Sequence, residues 1–214
     1  MKILGLLRRI VQPNPTIPTR FHTQRGLVPW TVMPGIIRAI YWRLRPPRME
    51  PWLAPPAIKI LQAALRPDAR VLEFGGGRST VWFARQGARV TCLESEPDWA
   101  REISAGLEEH ADRVEVTTLP LQSFHDHAAK HFAPGSMDVA VVDCMEPFPG
   151  YRLECLRVAR DLVRPGGLLV LDNSDRPEYA GADTILAGWP MQRYVGFPRF
   201  PLHALETTIY TRPG

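Results

Sequence analysis

From Arg70 onward, short apolar runs alternate with longer amphipathic stretches, and this alternation limits the chain to folds built from parallel βαβ units. Strands are predicted over residues 70–74, 89–94, 113–119, 137–143 and 168–171. The fourth is a nearly continuous apolar run, as a strand covered on both faces requires. Helices are predicted over 81–86, started by Ser79 or Thr80 and stopped by Gly87, and from Ser95 as N-cap to about His110. A third spans 151–163, where Leu153, Leu156, Ala159 and Val163 form one stripe ahead of Arg164-Pro165-Gly166-Gly167. A helix over 56–65 precedes the first strand and a weaker one lies near 179–187. Strand candidates at 193–197 and 207–211 are close enough to pair as a terminal antiparallel ribbon. The sum is an open α/β sheet, and such sheets bind ligands outside the C-terminal ends of their strands. Function is therefore sought just after Phe74, Cys92, Val142 and Leu171.

Charge and proline divide the 214 residues at about residue 51. Residues 1–50 hold nine Lys and Arg against one acid, while the remainder holds 17 against 21, so a basic arm precedes a mildly acidic body. Ten of the 22 prolines fall between Pro13 and Pro56, which makes that stretch unsuited to packed helices or central strands. The expected organisation is an arm or lid over 1–51 and a ligand-binding domain over 52–214. Within the arm, residues 36–45 form a short amphipathic helix with Arg38, Trp42 and Arg45. It could pack as a lid over the sheet, lie on an anionic membrane surface or meet nucleic acid, the last being disfavoured. No apolar run approaches the roughly 18 residues of a membrane span. The N-terminal run is shorter than the about 7–15 residues of a signal peptide. Cys92, Cys144 and Cys155 form no CxxC pair, which suits a reducing compartment, so a cytoplasmic location is expected.

The first strand edge reads Glu73-Phe74-Gly75-Gly76-Gly77-Arg78-Ser79-Thr80. Glycines allow close backbone approach, and a following helix start offers unpaired N–H groups to a carboxylate or phosphate. As a dinucleotide fingerprint the turn is imperfect, because Thr80 stands where the third glycine belongs and Glu73 would repel phosphates. A carboxylate there suits a ligand with an amino group instead. Glu94 ends the second strand 19 residues after Gly75, near the spacing of an acid that holds ribose hydroxyls, although a solvated strand-end acid would look the same. A ribose, an ammonium and no phosphate describe S-adenosylmethionine.

Val71-Leu72-Glu73-Phe74-Gly75-Gly76-Gly77 with Glu94 resembles the first two cofactor motifs of class I S-adenosylmethionine-dependent methyltransferases. Arg164-Pro165-Gly166-Gly167-Leu168-Leu169-Val170 resembles the fifth-strand motif of the same family, and the likeness covers about residues 52–212. The resemblance implies a Rossmann-like, doubly wound sheet, mostly parallel with an antiparallel C-terminal strand. It also implies that Glu73, Gly75, Gly76, Gly77, Ser79 and Thr80 border the methionine part of the cofactor and that Glu94 binds the ribose diol. Leu119 and Leu121 could flank the adenine or belong to the core.

Asp143 at the fourth strand edge with Asp172-Asn173 at the fifth resembles the divalent-metal triad of catechol-type and caffeoyl-CoA-type O-methyltransferases. That likeness implies a cation such as Mg²⁺ on Asp143, Asp172 and Asn173, with Asp143 beside the transferred methyl. That family places a lysine base three residues after the first Asp, where this chain has Glu146. Strand-end hydrogen bonding for Asp143 and a turn at Asp172-Asn173 are the alternatives. The expected activity is methyl transfer to an oxygen of a small or medium-sized acceptor. Two rivals stand beside it: an aminopropyltransferase of the same fold, whose acid after the third glycine is here Arg78, and a non-catalytic module that docks through the arm. His125, His127 and His131 are expected on a solvated surface rather than around a metal, and Cys144 as a small apolar edge residue.

Overall fold

The computed structural model describes residues 50–196 and 205–214. The expected arm over 1–51, its helix at 36–45 and the end of the strand predicted at 193–197 lie largely outside these residues. Helix α1 (Pro55–Ala64) leads into seven strands: β1 (Arg70–Phe74), β2 (Arg89–Glu94), β3 (Val114–Thr118), β4 (Met137–Val142), β5 (Val163–Asp172), β6 (Met191–Gly196) and β7 (Leu205–Thr211). They form one sheet in the order β3-β2-β1-β4-β5-β7-β6. The first five run parallel, and β7 enters antiparallel between β5 and β6. The order reverses between β1 and β4, which is where a doubly wound sheet opens a crevice.

Strand alternation distributes the apolar residues to two faces. Leu72, Phe74, Ala140, Val142, Leu169 and Leu171 pack on one side against α4 (Phe124–His131) and α5 (Tyr151–Leu162), which contribute Phe124, Cys155, Leu156 and Ala159. Val71, Val90, Val139, Val141 and Val170 pack on the other side against Ala57 and Leu61 of α1 and Phe83 of α2 (Arg78–Arg85). The predicted open α/β sheet with an antiparallel C-terminal ribbon is the observed architecture.

Four local expectations change. The helix predicted from Ser95 to about His110 is shortened to α3 (Pro97–Ala105), with a 3₁₀ segment at Glu108–Arg113. Ser95 does not cap it, because the N-cap position falls at Glu96 and the Ser95 hydroxyl turns to the Glu94 carboxylate, 3.4 Å away, and Gly106, a poor helix residue, ends it. Residues 179–187 reduce to a 3₁₀ turn at Pro177–Tyr179 and the one-turn α6 (Ala182–Ile185). Strand β5 starts at Val163, before the Pro-Gly-Gly run. A side chain at Gly167 would stand 2.8 Å from the Asp138 carbonyl, so the close approach of β4 and β5 requires glycine. Helix α4 was not foreseen, since Phe124 and Ala128 are its only buried residues.

Candidate functional site

The C-terminal ends of β1, β2 and β4 are joined by backbone hydrogen bonds that continue past the regular ladder. Gly75 N–H donates to the Leu93 carbonyl at 2.9 Å, and Asp143 N–H donates to the Phe74 carbonyl at 3.0 Å. These bonds set the glycine turn between Glu94 on one side and Asp143 on the other. Gly75 has φ +89°, and a Cβ there would lie 2.5 Å from Cys144 Cα, so β4 passes too close for any other residue. A Cβ on Gly76 would meet Cys92 Sγ at 2.2 Å. At Gly77 the nearest atoms are those of the Trp99 ring, 3.7 Å away. The first two glycines therefore serve packing, and the third leaves room for a ligand.

Glu94 is a fixed part of this turn. Its Oε2 accepts from Gly76 N–H at 2.9 Å, and its Oε1 accepts from Ser95 N–H at 2.7 Å and Glu96 N–H at 2.9 Å. Three amides orient the carboxylate without consuming all its lone pairs. Thr80 does not cap α2 from the N-cap position as predicted. It stands in the first turn and accepts from Gly77 N–H at 3.0 Å, tying the turn to the helix. Trp99, from α3, donates its indole N–H to the Gly76 carbonyl at 2.9 Å. Sequence reading passed over Trp99 because a tryptophan in an amphipathic helix reads as core.

Glu73 is fully buried, and among the described residues neither carboxylate oxygen has a hydrogen-bond partner of good geometry. Burial is the main cause that raises its pKa from 4.5 to about 7. The Ser79 and Thr80 hydroxyls nearby oppose the rise, and the charges of Asp143 and Glu94 add to it. The same mutual field shows that Glu73, Glu94 and Asp143 form one negative basin. Such a basin favours a cationic ligand.

Asp143 borders the turn with about a third of its side chain open, 31%. Burial raises its pKa, and the Arg152 and Arg176 guanidiniums oppose the rise. Its Oδ1 pairs with Nη2 of Arg152 at 3.0 Å. Arg152 is buried on the inner face of α5, on the stripe of Tyr151, Cys155, Leu156 and Ala159, whereas Leu153 of the predicted stripe is only half-buried. Asp172 is buried, its Oδ1 accepting from Thr207 Oγ1 at 2.7 Å, and Thr207 Oγ1 in turn accepts from Ala54 N–H at 2.9 Å. Asn173 has φ +53° and accepts from Arg176 at 2.8 Å through Oδ1, the turn geometry that was its alternative reading.

The structure thus brings Glu73, the glycines, Thr80, Glu94, Asp143 and Asp172 to one sheet edge. Leu119 and Leu121 pack partly buried on the core at the same edge. Cys144 is buried as an apolar edge residue. His127 and His131 stack on one another on α4, His125 lies against Tyr151, and no metal-binding group of His, Cys, Asp and Glu occurs among the described residues. Among those residues no helix is long and apolar enough to cross a membrane.

Comparison with known proteins agrees with this geometry. Residues 72–174 match the family described as methyltransferase domain. The chain is 35% identical over 123 residues to a ubiquinone biosynthesis O-methyltransferase of Xanthomonas campestris pv. campestris, covering 54% of this chain and 47% of that one. It thus spans about half the length of the curated relatives it matches. Among solved structures, the O-methyltransferase TomG from Streptomyces achromogenes in complex with SAM superposes with TM-score 0.58 at 24% identity, covering 84% of this chain and 90% of that one. An O-methyltransferase from Bacillus cereus in complex with SAH gives TM-score 0.56 at 23% identity, covering 87% and 93%. At these identities the superpositions speak for the fold. Residues 72–174, which carry the glycine turn and Glu94 at the sheet edge, are thus similar to a methyltransferase domain.

Proposed function

We propose that this protein is a methyltransferase that uses S-adenosylmethionine to methylate an oxygen of a small or medium-sized acceptor. The observation that carries the proposal is the glycine turn set between two carboxylates, with Glu94 clamped to Gly76 and Glu73 buried without a partner behind it. When bound, the cofactor supplies a methyl group activated by a sulfonium, and its amino group adds a second positive charge. The residues present fit such a ligand. Glu73 has no exposed surface, so it acts through its field rather than by contact. Glu94 offers its remaining lone pairs to a ribose diol. The N–H groups of Ser79 and Thr80, in the first turn of α2, lack intrahelical partners and suit a carboxylate. Gly77, under Trp99, admits the ligand closely.

On the acceptor side, Asp143 is the carboxylate placed to accept a hydroxyl proton, its Oδ1 fixed by Arg152. Met145 and Phe148, exposed on the loop after β4, offer an apolar surface to the body of an acceptor. Holding a nucleophile in line with the transferred group supplies much of the rate in such reactions. Transfer to oxygen is supported by the O-methyltransferases named above. An aminopropyl transfer lacks its acid at Arg78, which instead lies over the Trp52 ring, 5.7 Å from its centroid. The divalent cation implied by the catechol-type resemblance does not fit, because Asp143, Asp172 and Asn173 already engage Arg152, Thr207 and Arg176. The arm over 1–51 is assigned to acceptor choice or to contact with an anionic membrane surface, and the domain to 52–214.

Isothermal titration with S-adenosylmethionine tests the assignment. Wild type should bind, and Glu94→Ala should bind about tenfold or more weakly, since a lost hydrogen bond to a charged group costs roughly 1.5–3 kcal/mol. If wild type and variant both give no heat of binding, the cofactor assignment is wrong.

A further inference from the structure

In the catechol-type resemblance a metal ties together the ends of two adjacent strands. In this chain a guanidinium does so. Arg152, with 6% of its side chain exposed, donates from Nε to the Cys144 carbonyl at 2.7 Å and from Nη1 to the Asp172 carbonyl at 2.9 Å. Its Nη2 reaches both the Asp143 carbonyl at 3.1 Å and Asp143 Oδ1 at 3.0 Å. The guanidinium carbon lies 5.6 Å from the centroid of the Tyr179 ring, which covers it. One planar fork therefore holds three backbone carbonyls and a carboxylate, and it spans from the end of β4 to the end of β5. An arginine fixed in this way is a permanent charge, since its guanidinium does not lose its proton in proteins.

The donor set leaves little for a second cation. Asp172 Oδ1 faces Thr207 Oγ1, and Asn173 Oδ1 faces the Arg176 guanidinium. A divalent ion entering between Asp143 and Asp172 would meet two fixed positive groups and would have to displace the Arg152 fork. The charge repulsion and the lost hydrogen bonds act in the same direction.

We propose that Arg152 is a positioning residue that takes the place of the divalent cation: it balances the charge of the Asp143–Asp172 edge, bridges β4 to β5 and orients Asp143 toward the acceptor. The reaction in which it would serve rests on the function proposed above, but the absence of a metal requirement can be tested without cofactor or acceptor.

The experiment is a Mn²⁺ titration of the full-length protein, followed by electron paramagnetic resonance of the free ion and by the shift in Tm. Wild type should show no stoichiometric Mn²⁺ binding and no Mn²⁺-dependent rise in Tm. Arg152→Gln removes the charge while keeping a polar side chain, and it should acquire about one Mn²⁺ per chain and a rise in Tm on its addition. Arg152→Lys keeps the charge and should acquire neither. A merely structural arginine would not create a metal site when removed. One Mn²⁺ per wild-type chain, lost in Asp172→Asn, would overturn the proposal, as would a folded Arg152→Gln that binds no Mn²⁺. If Arg152→Gln does not fold, the wild-type titration alone decides. Titration of S-adenosylmethionine into the same samples reports on the cofactor assignment separately.

Discussion

Replacing Glu73 with glutamine isolates the cost of keeping a charge inside this fold. The carboxyl is wholly buried, and its pKa rises from 4.5 to about 7, chiefly through lost hydration. At about 1.4 kcal/mol per pH unit, that rise corresponds to roughly 3 kcal/mol of stability. The sign follows from proton counting. Between pH 4.5 and about 7 the native state holds more protons at this site than the unfolded chain, so stability falls as pH rises through this window. The contribution is fully present below 4.5 and lost above about 7. Glu73→Gln cannot ionise, so its stability relative to wild type should improve by up to about 3 kcal/mol between pH 5 and pH 8. Any constant offset from the new amide cancels in that comparison. Urea unfolding of both proteins at pH 5, 6, 7 and 8 and fixed ionic strength measures the effect. A difference that stays flat within about 0.5 kcal/mol, close to the scatter of ordinary surface substitutions, would mean that the buried Glu73 carboxyl ionises as readily as in the unfolded chain. The same ionisation should govern the ligand. Wild-type affinity for S-adenosylmethionine should weaken by about tenfold from pH 8 to pH 6, as the ionised fraction falls to about a tenth, and Glu73→Gln should bind weakly at both.

The glycines divide by what a methyl group would meet. Gly75→Ala should destabilise by several kcal/mol, read from the urea midpoint, because the new carbon would collide with the Cys144 backbone at a left-handed φ. Gly77→Ala should leave the midpoint within about 1 kcal/mol while weakening S-adenosylmethionine binding in calorimetry, since only the Trp99 ring lies near. In the core, Leu156→Ala, at a wholly buried position of α5, should lower unfolding free energy by about 2–5 kcal/mol in urea titration.

The strands were legible because a sheet covered on both faces must be written in apolar residues, as Val139, Ala140, Val141 and Val142 are. Glu94 was legible from its distance to Gly75, and the structure adds that three amides orient it. Arg152 was not legible. An arginine beside Tyr151 on an amphipathic helix reads as solvent-facing, and it is the backbone carbonyls at the ends of β4 and β5, with the Asp143 carboxylate, that explain its burial. Trp99 was hidden for the related reason that its polar partner is the Gly76 carbonyl, to which no pattern of side chains points. Short helices such as α4, with two buried residues, carry too little periodicity to be seen.

The Thr207 hydroxyl links Asp172 to the backbone of Ala54, a residue 153 positions earlier. During synthesis the ribosome delivers β1 to β5 first, and β7 must then enter between β5 and a strand already made, β6. The half of the sheet edge built from β1 and β2 can take shape on a nascent chain. The Asp172 end must wait until residue 207 has emerged, so the side of the edge proposed to face the acceptor is completed last, by a long-range closure of the kind that folds slowly.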